Sequence, residues 1–242
     1  MSDIGSNRLL NRLLYRDGMM LIIDKPAGLP VHKGPKGGET VEDHLDALRF
    51  GLGERPHLAH RLDRDTSGCL VLSHHRKALR RLGKLFEHGQ VRKTYVAVVH
   101  GCPDPSSGLI DQPLMKRSTA QRGWWMCVDP QGKVARTRYR TLGSEGTFSL
   151  VQLEPLTGRT HQLRVHLDFI GCTIVGDPFY GDRSDNAPNL LLHALSIRLP
   201  LYGSRPPVEV SAPLPDHWPD PWRRMLDDVL KSATTETEVP AT

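Results

Sequence analysis

The sequence predicts an α+β fold: a mostly antiparallel, mixed central β-sheet flanked by helices and loops. Two observations carry that reading. Strand-like runs outnumber helical ones and come in consecutive groups, which disfavours an alternating βαβ architecture. Turn-forming residues also sit between neighbouring apolar runs, as at Asp17-Gly18, the mark of an antiparallel hairpin. At 242 residues, 38% apolar and 24% charged, the chain is long enough for one large domain with a substantial core. No linker-like change of composition divides it, and no internal repeat is seen. The expected organisation is a flexible stretch over 1–8, one domain over 9–231 and a disordered tail over 232–242.

Taken in order, RLLYRDG and MMLIIDKP give two strands around Asp17-Gly18, and Pro26 ends the second. Residues 33–38, KGPKGG, lack the GxxxxGK[ST] spacing, which excludes a Walker-type nucleotide loop. Thr40 with Asp43 reads as a capping box opening a helix whose apolar positions are Val41, Leu45 and Leu48. CLVLS is a strand. RKALRRLGKLFEH is a helix with Leu79, Leu82, Leu85 and Phe86 on one face and five cations around the remainder. TYVAVVHG is a strand closed by Gly101. Residues 102–133 form an irregular, basic excursion with short strands. RTRYRTL and FSLVQLEP are two more strands, joined by a loop at 143–146. Residues 157–171, TGRTHQLRVHLDFIG, carry Leu163, Leu167 and Ile170 at helical intervals and stop at Gly171, so a helix is expected over the whole stretch. NLLLHALSIRLP is a strand or another buried apolar run. PDPWRRMLDDVLK is a helix capped by Asp220, with Pro221 at its first position.

Composition narrows the function classes. A net charge of +5 leans moderately towards polyanions. The four cysteines, at 69, 102, 127 and 172, are widely spaced with no CxxC pair, which argues against a structural zinc site and a disulfide scaffold. No apolar run is long enough for a signal peptide or a membrane span, so a cytoplasmic protein is expected. The twelve histidines show neither HExxH nor zinc-ribbon spacing, so no metal is expected.

Three stretches could carry chemistry. In HRLDRDTSG (60–68), Arg61 and Asp63 project to one side of an extended segment, and Gly68 permits a turn or a close approach to a ligand. A carboxylate among arginines is a competent nucleophile, although a salt-bridged turn is the commoner reading of such a pattern. In TGRTHQLRVHL, His161 and Arg164 share a helix face, Arg164 can pair with Asp168, and Gly158, Arg159 and Thr160 would offer free amides to an anion. In KTYVAVVHG, Tyr95 is either core or a ring that meets a base. Basic residues in 76–93 and 115–140, with Trp124, Trp125 and Tyr139 among the latter, suit a phosphate-lined groove with stacking rings; a solvated basic face is equally compatible.

In combination and in this order, DKPAGLPVH (24–32), HRLDRDTSG with CLVLS, KTYVAVVHG, ARTRYRTL (135–142), LEPLTGRTHQLRVHL (153–167), VGDPFYG and LLLHA resemble the RluA-type RNA pseudouridine synthases. The likeness spans roughly 10–215. It implies that Asp63 is the catalytic aspartate, with Tyr95 and Arg164 as active-site partners. It implies that Arg61 helps to open the RNA; His60, Arg159, His161 and Gln162, in the same two stretches, are expected to bind substrate. Asp65 falls where the family needs no acid and is assigned to structure. The members it resembles are single-domain, without an S4 domain. The implied reaction isomerises uridine in structured RNA, tRNA and/or large-subunit rRNA, after base flipping. It needs no cofactor, because the atoms balance. A monomer with no obligate protein partner and no membrane association is expected. The competing readings are a catalytically idle RNA-binding protein of the same fold and a hydrolytic RNA glycosylase.

Overall fold

The computed structural model describes residues 8–34, 37–121, 123–181 and 189–237. Most of residues 1–8 and the last five of the chain, where no structure was expected, lie outside them. Its strands are β1 (Leu13–Arg16), β2 (Met20–Lys25), β3 (His57–Leu58), β4 (Ser67–Ser73), β5 (Arg92–His100), β6 (Ser107–Asp111), β7 (Leu114–Thr119), β8 (Gly123–Val128), β9 (Arg136–Glu145), β10 (Phe148–Pro155), β11 (Leu192–Leu199) and β12 (Val208–Ser211). Its α-helices are α1 (Arg76–Glu87), α2 (Gln162–Phe169) and α3 (Asp220–Thr237). Ten strands form one sheet whose main path runs β1-β2-β4-β11-β5-β10-β9-β6, with β3 beside β4 and β12 beside β11. Strands β7 and β8 form a separate antiparallel hairpin. The β4–β11 pair is parallel, which makes the sheet mixed and otherwise antiparallel among the described residues.

Alternation along the central strands sorts the core onto two faces. Leu21, Ile23, Leu70 and Leu72 face one side, with Tyr95, Ala97 and Val99 of β5 and Leu163 and Leu167 of α2. Met20, Ile22, Cys69 and Val71 face the other, where Leu82 of α1 packs. Further along that second face, Val96 and Val98 meet Trp218, Trp222 and Leu226 from the C-terminal segment. Burying a side chain such as Leu82 contributes about 2–3 kcal/mol over leaving it in water. Both faces of β2 and β4 are therefore covered, and these strands read as continuous apolar runs, not as alternating ones.

Four local expectations change. The segment after Thr40 is a 3-10 helix over Val41–Leu48, although Asp43 does accept hydrogen bonds from the Thr40 amide and hydroxyl. β9 runs through Gly143 to Glu145, so the connection to β10 is shorter than the loop expected at 143–146. α2 starts at Gln162, because His161 adopts a left-handed conformation (φ 53°) that no α-helix can propagate through. α3 continues to Thr237, past the point where a disordered tail was expected, and the Ser232 hydroxyl donates to the Asp228 carbonyl within it.

The parallel β4–β11 contact depends on Gly68. Its φ is +104°, and a Cβ there would lie 2.2 Å from the Ala194 carbonyl oxygen. The expectation here is a turn or a close approach to a ligand; the approach is instead to the backbone of a neighbouring strand. Beside it, the Ser67 hydroxyl bonds His193 Nδ1 at 2.8 Å, and His193 Nε2 lies 3.4 Å from the Ala212 carbonyl. His193 is fully buried, and burial pushes its pKa down to about 4. The ring is therefore neutral, accepting at Nδ1 and donating at Nε2.

Two outcomes are expected. Gly68→Ala should destabilise the fold by roughly 2–4 kcal/mol in urea unfolding, through backbone overlap and a strained φ. A change below about 0.5 kcal/mol would rule out the close approach. His193 has a folded pKa below its unfolded value near 6.5, so its stabilisation is complete above that value and is lost as pH falls towards 4. Between pH 7 and pH 5 the protein should lose about 2 kcal/mol more stability than a His193→Gln variant does. Equal losses in the two proteins would show that His193 is not buried neutral.

Candidate active site

Asp63 lies in the loop between β3 and β4, and alternation sets its direction. Leu62 is buried in the core with Tyr95 and Leu163, which leaves Arg61 exposed and Asp63 half-buried at the rim. The loop is closed by the Thr66 amide donating to the Asp63 carbonyl at 3.2 Å. From beneath, Lys25 at the end of β2 donates to the carbonyls of Pro26, Leu29 and Arg64 at 2.8, 2.9 and 2.9 Å. Three acceptors match the three protons of an ammonium. Burial pushes the Lys25 pKa down to about 7, against the nearby charges of Asp65, Asp63 and Asp24, which raise it. Lys25 lies within DKPAGLPVH, but nothing in the local pattern signals this role.

Arg164 reaches Asp63 from α2. It is 3% exposed and forms a fork with Asp177: Nε to Oδ2 at 2.7 Å and Nη2 to Oδ1 at 2.6 Å. That leaves Nη1 facing Asp63 Oδ2 at 3.7 Å. Burial alone would lower the Arg164 pKa, but the bonds and charge of Asp177, with the charge of Asp63, raise it. Asp177 Oδ1 also accepts the amides of Phe179 and Tyr180 at 2.8 and 3.1 Å, so a tight turn holds the carboxylate that holds the arginine. The expected Arg164–Asp168 pairing gives way to this arrangement, because Arg164 points into the core while Asp168 is exposed.

His161 is the third member of the cluster. Its Nε2 lies 3.9 Å from the same Asp63 oxygen, and its Nδ1 bonds the Tyr180 hydroxyl at 2.9 Å. Burial lowers its pKa, with Arg164 and Arg61 adding to that and Asp63 and Asp177 opposing it. The Tyr180 hydroxyl accepts the Met126 amide at 3.1 Å. With the ring neutral, the attractive tautomer carries its proton on Nε2, facing the carboxylate, while Tyr180 donates to Nδ1. Tyr95 projects from β5 and is buried; burial first, then the charges of Asp63 and Cys69, raise its pKa, so it is a protonated phenol.

The other expected site residues fall elsewhere. His60 accepts the Val71 amide at 3.0 Å and stacks on Phe86 at 4.7 Å; burial pushes its pKa down to about 3, so it serves as an internal acceptor and not as an open contact. Gln162 has its hydrogen-bonding capacity engaged inside the protein: Oε1 accepts from the Thr157 hydroxyl and the Arg159 amide, and Nε2 donates to the Arg136 carbonyl and the Thr137 hydroxyl. Arg159 is exposed but bonds the Val134 carbonyl at 2.9 Å, and its amide is not at a helix start as expected. Asp65 pairs with its neighbour Arg64 at 3.0 Å. Tyr139 is buried with its hydroxyl on the Pro105 carbonyl, so it is no stacking ring. The two basic stretches also lie apart: α1 covers the second face of the sheet, whereas the β7–β8 hairpin docks on α2 through Leu114, Met126, Ala135 and Val165. They do not line one groove.

The candidate site is thus a rim carboxylate at the edge of a mixed sheet, faced by the third nitrogen of a buried arginine and near a buried phenol. Comparison with known proteins narrows the class. A family model described as RNA pseudouridylate synthase matches residues 19–169. A Zymomonas mobilis protein named an uncharacterized RNA pseudouridine synthase is 45% identical over 88% of this chain and 97% of its own. The ribosomal large subunit pseudouridine synthase C of Vibrio cholerae is 37% identical over 85% of this chain and 66% of its own. The solved structure of human RNA pseudouridylate synthase domain containing 4 superposes with a TM-score of 0.75 at 29% identity, covering 94% of this chain and 96% of that one. The chain belongs to the RNA pseudouridine synthases, isomerases that convert uridine in RNA to pseudouridine. Among the described residues, no helix is long and apolar enough to cross a membrane.

Asp177→Asn should leave the Arg164 charge buried without its counter-charge. The expected result is a loss of about 3 kcal/mol or more in urea unfolding and a fall in turnover of about 100-fold from a displaced guanidinium. Full activity on RNA from cells lacking the gene would show that Arg164 needs no such anchor.

Proposed function

We propose that Asp63 is the group that acts on the target uridine, and that the substrate is a structured RNA, large-subunit rRNA or tRNA. The observation that carries this reading is the convergence of Arg164 Nη1 and His161 Nε2 on one oxygen, Asp63 Oδ2. Both partners lean on the same side of the carboxylate, so Oδ1 is left to face the substrate. The rRNA assignment is supported by the Vibrio cholerae relative, which is named for the ribosomal large subunit.

The target base must leave its stack to reach a half-buried carboxylate. Asp63 then begins the reaction at the sugar, either by attack at C1′ or by removing a sugar proton to give a glycal. Either route breaks the N1–C1′ bond, and the uracil leaves as a bound fragment. After the ring turns, C5 bonds to C1′ as the Asp63–C1′ bond breaks or, in the glycal route, as Asp63 returns its proton to the sugar; the C5 proton is then lost while N1 gains one. Atoms balance without an external reactant. Arg164 stabilises the carboxylate by charge and orients it. Tyr95, a protonated phenol beside Asp63, gives the detached uracil a ring to rest on. Arg61, exposed two residues before Asp63, meets the RNA from which the base came. Holding the cleaved base in place accounts for much of the catalysis.

A purified Asp63→Ala protein should keep its affinity for RNA from cells lacking the gene and form no pseudouridine in it. Mapping pseudouridines in total RNA with and without the gene should show the loss of discrete rRNA or tRNA positions. Appreciable pseudouridine from Asp63→Ala would end the assignment of this residue, and release of free uracil by the parent protein would mark a glycosylase.

A further inference from the structure

Aromatic rings are usually buried, and exposed ones close to a reaction centre call for an explanation. Among the described residues the large exposed hydrophobics include three aromatics: Trp124, Phe169 and Phe179. Two of the three meet at one place. Trp124 (40% exposed) and Phe179 (46% exposed) have ring centroids 6.3 Å apart at an angle of 32°. Both flank His161, at 5.1 and 5.4 Å, and His161 is the residue whose Nε2 faces Asp63. The two rings therefore form a shallow shelf one imidazole away from the reacting carboxylate.

The shelf is held from below and left open above. Trp124 pairs with Ser118 next to the turn of the β7–β8 hairpin, while Met126, two residues on, is fastened by its amide to Tyr180 and by its side chain to Val165 of α2. Phe179 lies in the turn gathered by Asp177. Cations lie against both rings: Lys116 Nζ is 5.0 Å from the Trp124 centroid, and the Arg164 guanidinium is 5.2 Å from that of Phe179. An exposed pair of rings tilted by 32°, with an ammonium over one of them, suits a nucleobase and its phosphate.

We propose that Trp124 and Phe179 are a stacking shelf for a nucleobase adjacent to the target uridine, with Lys116 meeting the phosphate beside it. The inference rests on the reading of Asp63 as the reacting group. Flipping the target leaves its neighbour without a stacking partner, and the shelf, which borders His161 beside Asp63, replaces that lost surface. Stacking is tolerant of base identity, so the shelf sets affinity and register more than sequence.

The test uses the full chain, with RNA from cells lacking the gene as substrate and single-stranded oligouridylate as a binding probe. Trp124→Ala should raise the apparent KM about tenfold or more while kcat stays within about threefold. Trp124→Phe should restore KM to within about threefold of the parent. Oligouridylate should quench the tryptophan fluorescence of the parent and of Phe179→Ala, the latter at higher concentration, and should quench Trp124→Phe far less at saturation. An unchanged KM in Trp124→Ala, or undiminished quenching in Trp124→Phe, overturns the shelf. These readouts are separate from the Asp63 assignment: an Asp63→Ala protein that still makes pseudouridine sinks that reading, whereas quenching by oligouridylate tests the shelf whatever Asp63 does.

Discussion

A guanidinium buried to 3% exposure must keep its charge compensated, and here Asp177 supplies that compensation through two bonds of 2.6 and 2.7 Å. The rest of the site follows from this pair. With Nε and Nη2 committed, Arg164 has little rotational freedom, and Nη1 points to one place, the Asp63 carboxylate. An arginine that faced Asp63 alone would swing with that half-exposed side chain. The fork separates the two tasks: one carboxylate, fully buried, fixes the cation, and the other, at the rim, is fixed by it. Lysine could not do both, because an ammonium lacks the planar edge that engages two oxygens while a third donor looks elsewhere.

The other half of the geometry comes from the sheet. Asp63 hangs from the start of β4, and β4 is placed by its parallel contact with β11, which Gly68 alone makes close enough. Ser67 and His193 tie the same two strands by a neutral hydrogen bond. Lys25 joins the end of β2 to the Asp63 loop through the Arg64 carbonyl. Each of these groups is buried and polar, with its partners supplied by a different part of the chain. Such a network is costly when any member is missing, so it fixes one arrangement of the loop out of many. A reaction in which a cleaved base must turn and be recaptured needs that constancy.

Much of this was legible from local pattern, and the limits were physical. Strand periodicity and turn residues point to the α+β class, the hairpin at Asp17-Gly18 and most of the α1 face, where Ala78 is buried and Leu79 is not in the core cluster, because alternation and helical spacing are local properties. The juxtaposition of Asp63, Tyr95 and Arg164 was inferred from family motifs, and it is the fold that brings these three segments to one face of the sheet. Asp177 lies within VGDPFYG, where an aspartate before proline signals a turn and nothing in its neighbours tells of an arginine thirteen positions earlier. Gln162 and His60 were assigned to substrate from their place in the motifs. Their donors and acceptors are satisfied internally, which only the partners' positions reveal. The Arg164–Asp168 pair failed for a related reason: the i, i+4 rule describes exposed helix surfaces, and Arg164 faces inward.

The charge inventory finally constrains how RNA can lie. Around Asp63 Oδ2 stand the carboxylates of Asp63 and Asp177, the Arg164 guanidinium, a neutral imidazole whose pKa burial has lowered and, beneath the loop, Lys25, whose pKa burial pushes down to about 7. That set carries no surplus positive charge, so a phosphate has no reason to enter it and would be repelled by Asp63. A neutral uracil meets no such penalty. The cations are instead placed outside: Arg61 on the exposed side of the loop and Lys116 at the hairpin, above the Trp124 ring. On the reading proposed for Asp63, the backbone of the RNA would stay at the rim while the base goes in, and the division between a cationic rim and a charge-balanced pocket would favour the flipped conformation over one that presents the sugar-phosphate chain. Affinity then comes from the rim and discrimination from the pocket, so a change at either should leave the other in place.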